Sequence, residues 1–206
     1  MKGRFVGVVV AVWAAAILAG MIALTRYSLS PGTLAAAPAS WPAASTVERT
    51  TPLPQLVMIA HPRCACTRAS LGELAVLMAH CAGRVLATVI FVRPDGVPAG
   101  WENTDLLQSA RAIPGVTVLT DAGGREAARF GAATSGQVLL YDAAGRLAFC
   151  GGITAGRGHA GDNAGREALE ALLRGAPARA SVPVFGCELF EPHATRRAEV
   201  APTCRN

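Results

Sequence analysis

The first hydrophobic pattern along the chain is unbroken. Residues 5–24 read FVGVVVAVWAAAILAGMIAL, twenty positions without a charged group. A helix of that length, rising about 1.5 Å per residue, covers the roughly 30 Å hydrocarbon core of a bilayer. In lipid only internal hydrogen bonding satisfies such a backbone. Between 26 and 54 the periodicity disappears. Pro31, Pro38, Pro42, Pro52 and Pro54 stand there among Ala, Ser and Thr, the composition of a partly extended tether lifting the rest off the membrane.

From residue 55 the pattern alternates between strand-length apolar runs and helical stripes. Gln55–His61 is a strand ending at Pro62, which cannot donate to a ladder. Between Thr67 and Cys81 the residues Leu71, Leu74, Leu77, Met78 and Cys81 recur at three- and four-residue steps, predicting a helix. Val85–Val92 is a second strand, closed by the turn Arg93-Pro94-Asp95-Gly96. A helix beginning near Thr104 stops before Pro114. Val116–Thr120 is a strand, and Arg125–Phe130 a short helix with Gly131 as the residue past its end. Gln137–Tyr141 and Arg146–Cys150 flank an Asp-Ala-Ala-Gly turn as a hairpin, and Arg166–Arg174 is an amphipathic helix capped by Asp162 or Asn163. The order β-α-β-α-β-α-β-β-α predicts an α/β domain whose sheet is mixed and flanked by helices. The chain thus divides into a stub (1–4), a transmembrane anchor (5–25), a linker (26–54), the domain (55–175) and an irregular tail (176–206).

Charge orients this arrangement. Lys2 and Arg4 precede the apolar run and Arg26 alone follows it, so the positive-inside bias leaves the N-terminus in the cytoplasm and the domain outside. A cleaved signal peptide would export the same domain, but the run exceeds the usual apolar region of such peptides, and an uncleaved anchor is favoured. Without the first 26 residues the net charge of +5 falls to +2, and no basic stripe with interleaved aromatics remains. Nucleic acid is not an expected partner. Six cysteines in 206 residues are too few for a disulfide-stapled miniprotein.

Chemistry concentrates at His61-Pro62-Arg63-Cys64-Ala65-Cys66-Thr67. This segment joins the carboxyl end of the first strand to the N-terminus of the first domain helix. Unpaired N–H groups and the helix dipole there favour a thiolate. Arg63 and Arg68 add positive charge. Cys64 is expected to be the more exposed sulfur and the attacking one, with Cys66 resolving the mixed disulfide; the reverse order remains open because Cys66 lies further into the helix. The second constellation is the glycine-rich Gly151–Gly165, GGITAGRGHAGDNAG, which ends in no Gly-Lys-Ser/Thr and so is not a phosphate loop. Arg157 is positioned to stabilise a thiolate and His159 to shuttle a proton, while Asp162 serves equally as a helix cap. His61 either tunes Cys64 or faces solvent, and His80 suits a helix C-terminus.

HPRCACTRASLGEL, GGITAGRGHAGDNAG and the stretch TDAGGREAARFGAATSGQVLLYDAAGRLAFCGGI resemble membrane-tethered, extracytoplasmic thioredoxin-like proteins of the TlpA/ResA type, most closely the RedB group. The resemblance covers about residues 55–175. It implies a thioredoxin-like fold, thiol–disulfide exchange with protein thiols and disulfides, a redox-active disulfide in place of a cofactor, and a place on the periplasmic side of a bacterial cytoplasmic membrane. It also implies that the glycine-rich connection lies beside the cysteines. Two departures stand out. The pair is Cys64-Ala65-Cys66 instead of Cys-x-x-Cys, and Ser135-Gly136-Gln137 occupies the place of the usual cis-proline. Arg63, Ser135 and Gly136 are therefore the candidate substrate-binding residues.

Four cysteines remain. Cys81 and Cys150 read as buried hydrophobes or one buried bridge. Cys187 and Cys204 either bridge each other, or Cys187 returns to the site as a resolving thiol; six cysteines allow fifteen pairings. Two further functions use the same sulfurs. One is Cu(I) binding by Cys64 and Cys66 with His159 or His61 as a third ligand. The other is peroxide reduction with Arg129 or Arg157 as the activating cation.

Overall fold

A computed structural model of the chain describes residues 2–49 and 52–190; Cys204 lies outside them. The strands β1 (Gln55–Ala60), β2 (Leu86–Arg93), β3 (Val116–Ala122), β4 (Gln137–Tyr141) and β5 (Leu147–Gly151) form one sheet in the order β3-β2-β1-β4-β5. The first three are parallel, and β4 runs antiparallel to both β1 and β5. The helices are α1 (Lys2–Ser28), α2 (Ala65–His80), α3 (Asp105–Arg111), α4 (Arg125–Arg129) and α5 (Ala164–Leu173). Parallel strands joined by crossover helices and closed by an antiparallel hairpin make this a thioredoxin-like α/β fold, with the expected mixed sheet. Within α1, Gly3–Ser28 is long and apolar enough to cross a membrane, with a mean hydropathy of 2.5 and an apolar window of which no residue is buried.

The central strand shows why the sheet needs cover on both faces. Every residue of β1 is buried, and side-chain alternation sends Leu56, Met58 and Ala60 to one core and Val57 and Ile59 to the other. The first core is roofed by Leu71, Leu74 and Leu77 of α2, Leu107 of α3 and Leu169 of α5. The second has only α4, five residues long.

The linker completes it. Instead of hanging free as a tether, residues 28–47 lie along the domain. Leu147 N–H donates to Ala39 O at 2.9 Å and Trp41 N–H to Gly145 O at 2.8 Å. The Trp41 ring meets Phe130 and Tyr141 edge-on, each at 5.2 Å between centroids. Ser45 and Thr46 donate their hydroxyls to the Glu126 carboxylate at 2.7 and 3.0 Å. The physical reason is the exposed apolar face that α4 leaves behind. Replacing Trp41 with alanine is therefore expected to destabilise the domain by about 2 kcal/mol, less than a fully buried tryptophan would cost. Urea denaturation of the detergent-solubilised chain measures it.

Helix boundaries shift in ways that matter below. α2 begins at Ala65, two residues earlier than the stripe suggested, so Cys64 is its N-cap and Cys66 lies in its first turn. α5 is capped by Asn163, whose side chain accepts from Arg166 N–H at 2.8 Å, while Asp162 pairs with the Arg166 guanidinium.

Candidate functional site: a three-sulfur cluster

The end of β1 and the head of α2 bring Cys64 and Cys66 together, and the C-terminal segment adds a third sulfur. The sulfurs of Cys64, Cys66 and Cys187 lie within 4.8 Å of one another. Cys64 Sγ and Cys187 Sγ are hydrogen-bonded at 2.8 Å. Cys64, expected to be the exposed member of its pair, is instead the buried one at 2% exposure, whereas Cys66 is half-buried and Cys187 reaches solvent. The reason is that the chain around Cys187 lies over it.

The electrostatics single out Cys64. Burial pushes its thiol up. Hydrogen bonding from the Cys187 thiol and from the N–H groups of Cys187, Thr67 and Cys66 outweighs burial and leaves Cys64 below the ordinary cysteine value. Its neighbours move the other way. Burial and the charge of Cys64 raise Cys66, against a partial counter-pull from the Arg157 guanidinium and the Gly158 N–H. Burial and the bond to Cys64 push Cys187 up to about 12. Of the three sulfurs, Cys64 is thus the one whose ionisation the surroundings favour, and Cys66 and Cys187 are the two they oppose.

Around the sulfurs, Ser135 and Thr67 tie the strand ends together. Ser135 Oγ accepts from His61 N–H at 2.8 Å and lies 2.9 Å from Thr67 Oγ1. Ser135 N–H donates to Cys187 O at 2.8 Å, and Gly136 N–H to Ile59 O at 2.8 Å. Gly136 has φ +89°, and a Cβ there would press on Ser70 Oγ, so glycine is required. Arg157 bridges two segments. Its backbone N–H donates to Ser28 O at 2.8 Å, and its side chain reaches Ser30 O and Gly186 O while stacking 5.2 Å from the Tyr27 ring. Of the glycine-rich loop's candidates, Arg157 acts on the cluster, but His159 is exposed and is not among its ligating groups.

Other candidates engage neighbours of their own. Arg63 lies over the Trp101 ring at 4.6 Å, donates to Trp101 O, and lines an open pocket together with Cys64. His61 sits edge-on to Trp101, and burial followed by the Arg63 charge lowers its pKa. Arg68 pairs with Asp105, both lining the same open pocket with Cys64, while His80 pairs with Glu170 and Arg129 with Glu126. Cys81 and Cys150 are free thiols in the two opposite cores, which sets aside a bridge between them.

One residue escaped the reading of the sequence. Glu73 of α2 is 3% exposed. It accepts from Gly161 N–H at 2.6 Å and Asn163 Nδ2 at 3.2 Å and pairs with Arg166. It thereby clamps the glycine-rich loop against the helix that carries the cysteines.

A helix-capping cysteine at the end of the central strand of a thioredoxin-like sheet, with two more thiols in reach, defines the class of site. The comparisons add relatives of the fold. The chain matches no family model and no curated protein. Among solved structures it is similar to a hypothetical protein of Sinorhizobium meliloti, at 25% identity and TM-score 0.55 over 79% of this chain and 94% of that one. It is also similar to an uncharacterized conserved protein of Geobacillus kaustophilus, at 20% identity and TM-score 0.57 over 80% and 94%. A secreted Mycobacterium tuberculosis disulfide oxidoreductase, described as homologous to E. coli DsbE, superposes at 18% identity and TM-score 0.42 over 60% and 81%.

Proposed function

We propose that the chain is a membrane-tethered, extracytoplasmic thiol–disulfide oxidoreductase. The observation that carries the reading is the Cys64 sulfur, its pKa lowered at the head of α2, with two further thiols inside the same 4.8 Å cluster. The Cys64 thiolate attacks one sulfur of a partner disulfide, forming a mixed disulfide and releasing the partner's other sulfur as a thiolate, which takes up a proton. A second thiol of the cluster then gives up its proton and attacks the Cys64 sulfur. The protein gains a disulfide, and the partner leaves as two thiols. Two electrons pass from protein to partner, and the reverse sequence oxidises a dithiol. Polar contacts around Ser135 and Gly136 are where an extended protein partner would be received.

Titration of the full-length chain against reduced and oxidised glutathione, with alkylation and mass spectrometry, tests the reading. The expected result is that two thiols of the cluster titrate together while Cys81 and Cys150 stay reduced. An unchanged number of alkylated thiols in the cluster across the titration would defeat it.

The three converging sulfurs favour a second reading, Cu(I) binding with Cys187 in the role first given to His159. It requires one tightly held Cu(I) on the reduced chain, lost on Cys187→Ser and kept on His159→Ala.

A further inference from the structure

Resting on the exchange reading, we propose that Cys187 is the thiol that resolves Cys64, and that its segment is a built-in strand occupying the edge where a partner's extended, cysteine-bearing segment must lie. Residues 180–189 run back across the sheet end. Cys150 N–H donates to Ala180 O at 2.9 Å, Gly152 N–H to Pro183 O at 3.2 Å, and Gly32 N–H to Val184 O at 2.8 Å. Val184 and Leu189, at 0% and 6% exposure, anchor the segment on either side of Cys187. Between them Ser135 N–H donates to Cys187 O at 2.8 Å and Leu189 N–H to Ala133 O at 2.9 Å, around an antiparallel bridge of Thr134 with Glu188. That is a short β-ladder on residues 133–135. It uses backbone groups alone, so any extended polypeptide of suitable reach makes the same bonds.

Three features separate Cys187 from Cys66 as the resolving thiol. Its sulfur is already 2.8 Å from Cys64 Sγ, so only a small closure brings it to bonding distance. Cys66 sits only one residue beyond Ala65 in the first turn of α2, and a disulfide to Cys64 across a single intervening residue is geometrically tight. Finally, Cys64 is 2% exposed with the segment in place, so a partner disulfide reaches it only when the segment lifts. The chemistry follows in order. The segment opens, and Cys64 forms the mixed disulfide with a partner disulfide. The Cys187 thiol, with its proton, is brought back against Cys64 Sγ, and the Arg157 guanidinium holds the neighbouring Gly186 O. Cys187 then loses that proton to solvent and attacks Cys64 Sγ. The partner's second thiolate departs, and the Cys64–Cys187 disulfide fastens the segment down. An external dithiol that attacks that bond returns it to two thiols, leaves as a disulfide, and reopens the edge.

Gly186 offers a variant that leaves every thiol intact. A Cβ there would collide with Ser135 O, so Gly186→Val forces the segment off the edge. The test oxidises the full-length chain in detergent with glutathione disulfide, alkylates it, and digests it without reduction. The expected product links Cys64 to Cys187 with Cys66 alkylated, and Cys66→Ser still forms that link. Cys187→Ser is expected to accumulate glutathione on Cys64, and Gly186→Val to raise alkylation of Cys64 about tenfold or more, as local opening becomes the ground state. A Cys64–Cys66 link with Cys187 alkylated, or unchanged Cys64 alkylation in Gly186→Val, overturns the inference while leaving disulfide exchange standing. Continued exchange by a Cys64→Ser chain overturns both.

Discussion

Replacing Cys64 with serine is expected to lower disulfide exchange by more than about a thousandfold, because the hydroxyl is not ionised near neutral pH and an alkoxide forms no disulfide. The expectation rests on where the residue sits. Cys64 occupies the N-cap position of α2, where the Cys187 thiol and the N–H groups of Cys187, Thr67 and Cys66 hold its pKa below the ordinary value in spite of burial. Two further results follow from the sign of each shift. In the wild-type chain, Cys64 should be half-ionised at a lower pH than an ordinary cysteine, so exchange declines as pH drops through that lowered value. In Cys64→Ser the anion that raises Cys187 is gone, so Cys187 should ionise at lower pH than the value of about 12 it has beside Cys64. Alkylation rates measured peptide by peptide across pH check both. An unchanged Cys187 profile would mean that the two sulfurs are not in electrostatic contact. The same exchange rates in wild type and Cys64→Ser would remove Cys64 from the chemistry.

The parts of this picture that were legible in the sequence are those with a local period or a local punctuation. β1 reads as buried because QLVMIA is a continuous apolar run, and the hairpin reads from Asp142-Ala143-Ala144-Gly145 between two such runs. Cys64 and Cys66 were marked by their place between a strand and a helix. The apolar stripe of α2 becomes regular only at Leu71, which puts the expected helix at Thr67–Cys81 and leaves Cys64 outside the N-cap position it occupies. What escaped were segments whose structure is bought by distant partners. Residues 28–47 and 180–190 have no periodicity of their own. They are held by backbone bonds to Val184, Gly145, Ser135 and Gly152 and by isolated anchors such as Trp41 and Leu189. No local rule announces that a five-residue α4 leaves a sheet face needing cover. Gly186 in VPVFGCELF was the available signal for close approach of two backbones, and it is visible only once Ser135 is known to lie opposite. Glu73 carried a signal too. It stands one residue before Leu74 and four before Leu77, on the side of the helix that packs inward, where an unpaired carboxylate would not be tolerated.

Glu73→Ala is expected to destabilise the domain by about 3–5 kcal/mol, the cost of breaking a buried, hydrogen-bonded ion pair from one side. The carboxylate satisfies three groups at once: Gly161 N–H, Asn163 Nδ2 and the Arg166 guanidinium, whose side chain is only 13% exposed. Asp162 and Glu170 also contact Arg166, but Asp162 is 94% exposed and neither reaches Gly161 N–H in place of Glu73. For a domain of this size the loss corresponds to a fall in melting temperature of about 10 °C. Glu73→Gln keeps the shape and one acceptor, so it should fall between wild type and alanine. The two variants also separate stability from chemistry. The clamped loop carries Gly158 and Arg157, which pull the Cys66 thiol down. If the clamp positions them, loosening it raises the pH at which Cys66 is alkylated even below the melting transition. If Glu73 only stabilises the fold, the melting temperature drops and the Cys66 profile stays where it was. A chain whose melting temperature is unaffected by Glu73→Ala would show that the loop is held by other means, since no surface carboxylate in water is worth this much.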